Sequence, residues 1–252
     1  MSGSIFIVGL GPGSMDWLAP AALDALQQAD VILGYQRYLE QIASLRPEIP
    51  REGSGMRHEV ERARRALELA RQGKCVALVS GGDAGIYAMA GLVLELLEMD
   101  GGSEVPVEVM PGISALNAAA ALLGAPLMTD FAAISLSDYL VPLETILKRL
   151  RAAVQGDFVI CLYNPRSHQR SEPYDRAYQI LLDALGGERP VGIVQAAYRE
   201  GQRVICATLK DLPKIEVGMD CVLIVGNSQT RLWNGKMITP RGYAISRMKD
   251  KS

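Results

Sequence analysis

Residues 5 to 8 (IFIV) are four consecutive apolar side chains that run into a cluster of glycines, which predicts a buried strand ending in a tight turn. Apolar residues then recur at Leu18, Ala22, Ala25, Leu26 and Ala29, the spacing of one helix face. Short apolar runs at 31–33, 76–79 and 107–109 read as further strands, with helical patterns at 58–72 and 88–99 between them. Alternating strands and helices predict a mainly parallel sheet covered on both faces.

The rhythm changes after Pro126. A strand at 132–136 leads to an amphipathic helix at 141–153, a strand at 158–162 and a helix at 174–185. Three strands follow at 191–195, 203–208 and 221–225, and their short connections predict antiparallel pairs. Gly124, Ala125 and Pro126 follow an alanine-rich helix and punctuate the chain, so the expected division is 1–127 and 128–252.

Composition adds limits. With 49% hydrophobic and 21% charged residues, the 252-residue chain can bury a sizeable core. Its formal net charge of -2 does not suggest a nucleic-acid binder. That total conceals an uneven distribution: residues 1–126 hold 9 basic and 15 acidic side chains, and residues 127–252 hold 17 and 13, so the halves carry -6 and +4. Arginines in the second half, among them Arg166, Arg170 and Arg199, suit carboxylate recognition and point to an anionic ligand. Four cysteines without a paired spacing, and only two histidines, leave no metal site expected. A reducing cytoplasm is the expected location, with neither a secretory signal nor a membrane span.

Chemistry concentrates where strands end. The segment 9–14 (GLGPGS) resembles a dinucleotide fingerprint, but Ser14 stands where the third glycine belongs, and Gly73-Lys74-Cys75 is no phosphate loop. The segment 80–87 (SGGDAGIY) lets backbone approach a ligand closely, with Asp83 a candidate cap for the next helix. The segment 110–117 (MPGISALN) opens a helix with Ser114 as its cap. Three such turns at one edge predict a cleft. The second half adds Ser135 to Asp138, Leu162 to Ser167 and Gln195 to Gln202, again after predicted strands.

These segments together resemble the tetrapyrrole methylases. The likeness runs from Ile5 to about Arg241 and rests on 34–39 (GYQRYL), 80–95, 114–130, 134–138 (ISLSD) and 162–167 (LYNPRS). It implies two α/β domains with the active site in the cleft between them. It also implies S-adenosylmethionine as methyl donor, an anionic tetrapyrrole substrate of cobalamin biosynthesis methylated at a ring carbon with ring contraction, and a homodimer. The cofactor contacts it implies are Pro12, Gly81, Gly82, Asp83, Ile86, Ser114 and Ala115, with Asn164, Ala197 and Gly201 from the second domain. Gly11, Arg166, Arg170 and Arg199 are the expected substrate contacts, and Asp83, Asp138 and His168 the candidate general bases. Ser14 departs from the acidic residue often found there in the family, and Asp16 is a possible substitute. The ring carbon the resemblance implies is carbon 17 and the expected substrate is the metal-free form; the competing readings are a methyltransferase of the cobalt-containing substrate, another corrin-ring methyltransferase and a non-catalytic tetrapyrrole or S-adenosylmethionine carrier.

Overall fold

The computed structural model describes residues 3–101, 105–167 and 170–243. The chain divides into two units, 1–118 and 119–252. In the first, β1 (Ser4–Gly9), α1 (Pro20–Gln28), β2 (Val31–Tyr35), α2 (Gln36–Gln41), β3 (Arg51–Ser54), α3 (Glu59–Arg71), β4 (Cys75–Ser80), α4 (Met89–Met99) and β5 (Val107–Met110) follow one another. The five strands pair in the order β3-β2-β4-β1-β5, all parallel. Central strands read as unbroken apolar runs because both faces are covered. On one face Ile7, Leu33 and Leu78 pack under α3 and α4; on the other Val8, Ile32 and Val79 pack with α1.

Helix α5 (Ala115–Leu123) crosses the division. The second unit continues with β6 (Gly124–Ala125), β7 (Phe131–Ser135), α6 (Leu143–Gln155), β8 (Val159–Tyr163), α7 (Glu172–Leu185), β9 (Pro190–Gln195), β10 (Arg203–Thr208), β11 (Cys221–Val225), β12 (Arg231–Trp233) and β13 (Lys236–Ile238). Its main sheet has the order β10-β9-β11-β8-β7. Only β7 and β8 run parallel; β8-β11, β11-β9 and β9-β10 are antiparallel, as the short connections predict. Leu147 and Leu150 of α6 and Leu181 of α7 bury against Ile160, Leu162 and Ile193. Leu123 covers the opposite face, so close to Gly192 that a Cβ there would sit 2.4 Å from its Cδ1.

The expected boundary at 127 moves to 118. Gly124 and Ala125 do not link domains; they form β6, which pairs in parallel with β13 inside the second unit. Gly124 has φ +120°, so glycine is required by the strand entry and not by a flexible hinge. Among the described residues no helix is long and apolar enough to cross a membrane.

Candidate active site

Strands β1 and β4 are neighbours, yet the helices that follow them lie on opposite faces of the sheet: α1 with Leu10 and Ile32, α4 with Leu78 and Ala84. Open parallel sheets leave a crevice at such a switch point, outside the carboxyl ends of the strands. Here the crevice is spanned by backbone. Gly11 N–H donates to the Gly82 carbonyl (3.0 Å), and Gly82 N–H donates to the Gly11 carbonyl (2.8 Å), joining the loops after β1 and β4.

The loop after β5 closes on the same point. A Cβ on Gly9 would lie 2.7 Å from the Gly82 oxygen and 2.8 Å from the Gly112 nitrogen, and one on Gly112 only 2.2 Å from the Gly82 oxygen. Glycine is therefore imposed by three backbones meeting, whatever ligand binds. Gly82 itself has φ +69°, and a Cβ there would rest in van der Waals contact with the Ala115 nitrogen, at 3.5 Å, and the Ser114 Cα, at 3.7 Å, so its backbone conformation rather than a clash calls for glycine. Ser114 caps α5 by accepting from Asn117 N–H at 3.2 Å, as its position predicts. The Gly82 backbone and the first turn of α5 thus lie close together at the strand ends, where backbone groups and the free amides of a helix start are presented.

Asp83 holds this junction together. Its Oδ1 accepts from Gly85 N–H (2.8 Å) and its Oδ2 from Gly112 N–H (3.0 Å), tying the second loop to the third. The expected helix-capping role is corrected: α4 begins later, at Met89, with Ala88 as an N-cap lacking a side-chain bond. Carboxylate oxygens engaged by two amides make Asp83 a brace first. Pro12 is buried beside Gly11, while Ile86 is 40% exposed. In the first loop Ser14 caps a short 3-10 turn (Met15–Trp17), and its hydroxyl donates to the Asp16 carboxylate at 3.0 Å. Gly11 is buried, with its amide and carbonyl both spent on Gly82.

In the second unit β7, β8 and β9 end on one edge. Asn164, at φ +51°, donates through Nδ2 to Ser135 Oγ (3.0 Å), which also accepts from Ser137 N–H (3.2 Å). After β9, Ala196 and Tyr198 have φ +47° and +56°, conformations costly for residues with a Cβ. Gln202 Oε1 accepts from Tyr198 N–H (2.7 Å), and Gln195 Nε2 donates to both oxygens of Asp220 (3.2 and 3.1 Å), so the turn carrying Ala197 and Gly201 is held from both sides.

Two arginines expected to meet substrate have protein partners. Arg170 donates to the carbonyls of Leu136 and Asn164 and stands 3.6 Å from Asp138, fastening the β7 and β8 loops together. Arg166 pairs with Asp175 and lies over the Tyr174 ring, 4.7 Å from its centroid. Both sit in the second unit as braces of its loop edge, a geometry that charge counting does not reveal. Arg199 lies half-buried in the β9 turn. His168 lies outside the described residues. Candidate bases Asp83 and Asp138 belong to different units.

Tyr174 is 6% exposed and its hydroxyl has no hydrogen-bond partner among the described residues; burial pushes its pKa up to about 12. Since an unpaired buried hydroxyl contributes no bond, Tyr174→Phe should leave the thermal unfolding midpoint unchanged or raise it slightly. A clear fall in that midpoint would show that the hydroxyl is bonded in solution. All four cysteines are free, Cys161 and Cys221 buried and Cys75 and Cys206 half-buried, and no group of three metal-ligating side chains occurs among the described residues.

A doubly covered sheet with a glycine junction at its switch point, followed by a mixed-sheet unit with strained loops at one edge, defines a small-molecule enzyme of the two-unit α/β type. The family model described as Tetrapyrrole (Corrin/Porphyrin) Methylases matches residues 4–213. The sequence is 45% identical over 239 residues to a probable cobalt-factor III C(17)-methyltransferase of Salmonella typhimurium, covering 95% of this chain and 99% of that protein. It is 39% identical over 251 residues to the precorrin-3B C(17)-methyltransferase of a Sinorhizobium species, covering 97% and 98%. A cobalt-factor III methyltransferase of Priestia megaterium is 46% identical over 246 residues, and the chain spans only 46% of that longer protein. The crystal structure of the methyltransferase CobJ superposes with a TM-score of 0.90 at 39% identity, covering 95% of this chain and all of that one. The chain belongs to the tetrapyrrole methylase family and is an S-adenosylmethionine-dependent C-methyltransferase.

Proposed function

We propose that the protein methylates carbon 17 of a corrin precursor in cobalamin biosynthesis, with contraction of the macrocycle. The observation that carries the reading is the three-loop glycine junction at the β1/β4 switch point, in a chain whose full-length relatives are named for that carbon. S-adenosylmethionine supplies an electrophilic methyl group. The residues fit such a donor: the Gly82 backbone and the Ser114-capped start of α5 meet at the strand ends and present main-chain groups there. Pro12, Gly81, Gly82, Asp83, Ile86, Ser114 and Ala115 would hold it from the first unit, and Asn164, Ala197 and Gly201 from the second.

Methyl transfer needs little from the protein besides alignment, because displacement at a sulfonium is limited by near-attack geometry. Rigid loops braced by Asp83, Gln202 and Arg170 provide that alignment. In the contraction, carbon 17 gains the methyl group as the sulfur–methyl bond breaks. With precorrin-3B, the hydroxyl on carbon 20 would lose its proton to a base and become a carbonyl as one of that carbon's two ring bonds shifts to join the flanking ring carbons directly, leaving carbon 20 outside the ring as an acetyl group. Asp138 and His168 are the better candidates for the base, Asp83 being engaged by two amides.

Two substrate forms compete, precorrin-3B and its cobalt-containing counterpart. The cobalt form is favoured by the higher identity to a full-length relative named for it, 45% against 39%. A homodimer in the cytoplasm completes the proposal. Incubation with S-adenosylmethionine and each form, followed by mass and absorption spectra, tests it. A gain of one methyl with the spectrum of a contracted ring is expected; binding without turnover would leave the carrier reading standing.

A further inference from the structure

The segment 34–39 (GYQRYL) carries much of the family likeness, yet none of its residues is among the expected cofactor or substrate contacts. It forms the end of β2 and most of α2, a helix of six residues that lies against β2, β3 and β4. Three glycines sit beneath that helix. A Cβ on Gly53 of β3 would overlap Gln36 Oε1 and stand 3.4 Å from Leu39 Cδ1, and one on Gly34 of β2 would stand 3.3 Å from Leu39 Cδ2. On Gly81, the first residue after β4, a Cβ would lie 2.6 Å from Cε1 and 2.8 Å from Cζ of the Tyr38 ring. The strand register sets them side by side: Gly53 pairs with Gly34, and Gly34 with Val79, two residues before Gly81.

None of these three glycines has a positive φ, so the backbone conformation does not call for glycine at any of them. At Gly81 the Tyr38 ring does. Gly81 directly precedes Gly82, whose amide and carbonyl bond Gly11, and Asp83, whose carboxylate accepts from Gly112 N–H. The loop after β4 is therefore held at Gly11, at Gly112 and, through the ring, at α2. Tyr38 is not a loose side chain that could swing aside. It is half-buried, packs on the core that contains Leu39 and Val79, and meets Tyr35 edge to face, with centroids 5.4 Å apart and planes at 85°.

We propose that Tyr38 is a positioning residue for methyl transfer: its ring fills the space that a side chain at position 81 would take, and so sets where the Gly81-Gly82 main chain stands for the cofactor. This rests on the reading that the loop after β4 holds S-adenosylmethionine. It gives the missing side chain of Gly81 a different cause from the close approach of a ligand. The two causes differ in what happens once the ring is gone.

A double-mutant cycle on the whole chain tests this, read by S-adenosylhomocysteine calorimetry and by the thermal midpoint. Gly81→Ala should weaken binding about tenfold while the ring is present, but no more than about twofold in a Tyr38→Ala background, because contacting residues couple. Tyr38→Ala alone should weaken binding about threefold, and Tyr38→Phe, which keeps the ring, should stay within about twofold of the wild type. Tyr38→Leu, too short to reach position 81, replaces alanine in the cycle if Tyr38→Ala does not fold. An equal loss from Gly81→Ala with and without the ring would keep the cofactor at this loop and overturn the role of Tyr38, as would Tyr38→Phe binding as weakly as Tyr38→Ala. A midpoint that shifts through the cycle while affinity stays constant would remove the cofactor from the loop and overturn both. Corrin turnover is read in no arm, so the outcome at carbon 17 leaves this result unaffected.

Discussion

Replacing Gly112 with alanine is expected to cost at least about 3 kcal/mol of stability, because overpacking a dense site costs 1–3 kcal/mol even where side chains can yield. Here nothing can yield. The new methyl would sit 2.2 Å from the Gly82 oxygen and 2.7 Å from the Gly9 oxygen, both main-chain atoms. Relief would require the β5 loop to withdraw, which would also break the bond from Gly112 N–H to Asp83. Cofactor binding should fall with stability, since the face opposite Ala115 is made by the same backbone. The control is Gly235→Ala: its φ is +69°, but nothing lies within 4 Å, so only the conformational cost of about 1 kcal/mol is expected, with cofactor affinity unchanged. Urea unfolding with S-adenosylhomocysteine titration checks both. A Gly112→Ala protein with the wild-type midpoint and affinity would mean that the three loops are not in contact in solution.

Legibility in the sequence followed burial. β1, β2, β4, β8 and β11 are apolar through their length because each is covered on both faces, and the pattern finds them. β3 escapes because Arg-Glu-Gly-Ser at a sheet edge has no apolar face to display. β12 and β13 escape for a different reason: Arg-Leu-Trp and Lys-Met-Ile are three residues each, too short to display a period. Turn chemistry was readable at Gly9, Gly82 and Gly112, but its cause was not: Gly9 and Gly112 are demanded by main-chain contacts with residues about 30 to 100 positions away, and Gly82 by its φ of +69°. Charge was less legible than pattern. The excess of arginine in the second half suggested an anion site there, yet Arg166 and Arg170 are spent on Asp175 and on loop carbonyls.

Asp83→Ala and Asp83→Asn are expected to separate bracing from proton transfer at the residue the glycine loop displays. Alanine leaves the amides of Gly85 and Gly112 without their acceptor; the exposed Gly85 amide can turn to water, while the part-buried Gly112 amide carries the penalty of an unsatisfied donor, so a loss of about 1–3 kcal/mol follows. Asparagine is nearly isosteric but offers one oxygen where two are used, and its NH2 must then face a backbone N–H. It should therefore lose roughly half as much stability. Cofactor affinity should decline in the same order, wild type, asparagine, alanine, because Asp83 ties the glycine loop proposed to hold the cofactor to the Gly112 loop. A general base would behave otherwise: asparagine would keep the fold and the affinity for S-adenosylhomocysteine and lose only turnover. Measuring unfolding, homocysteine-cofactor binding and single-turnover methylation on the same three proteins decides between them. The two main-chain bonds to Asp83 predict that binding and turnover fall together.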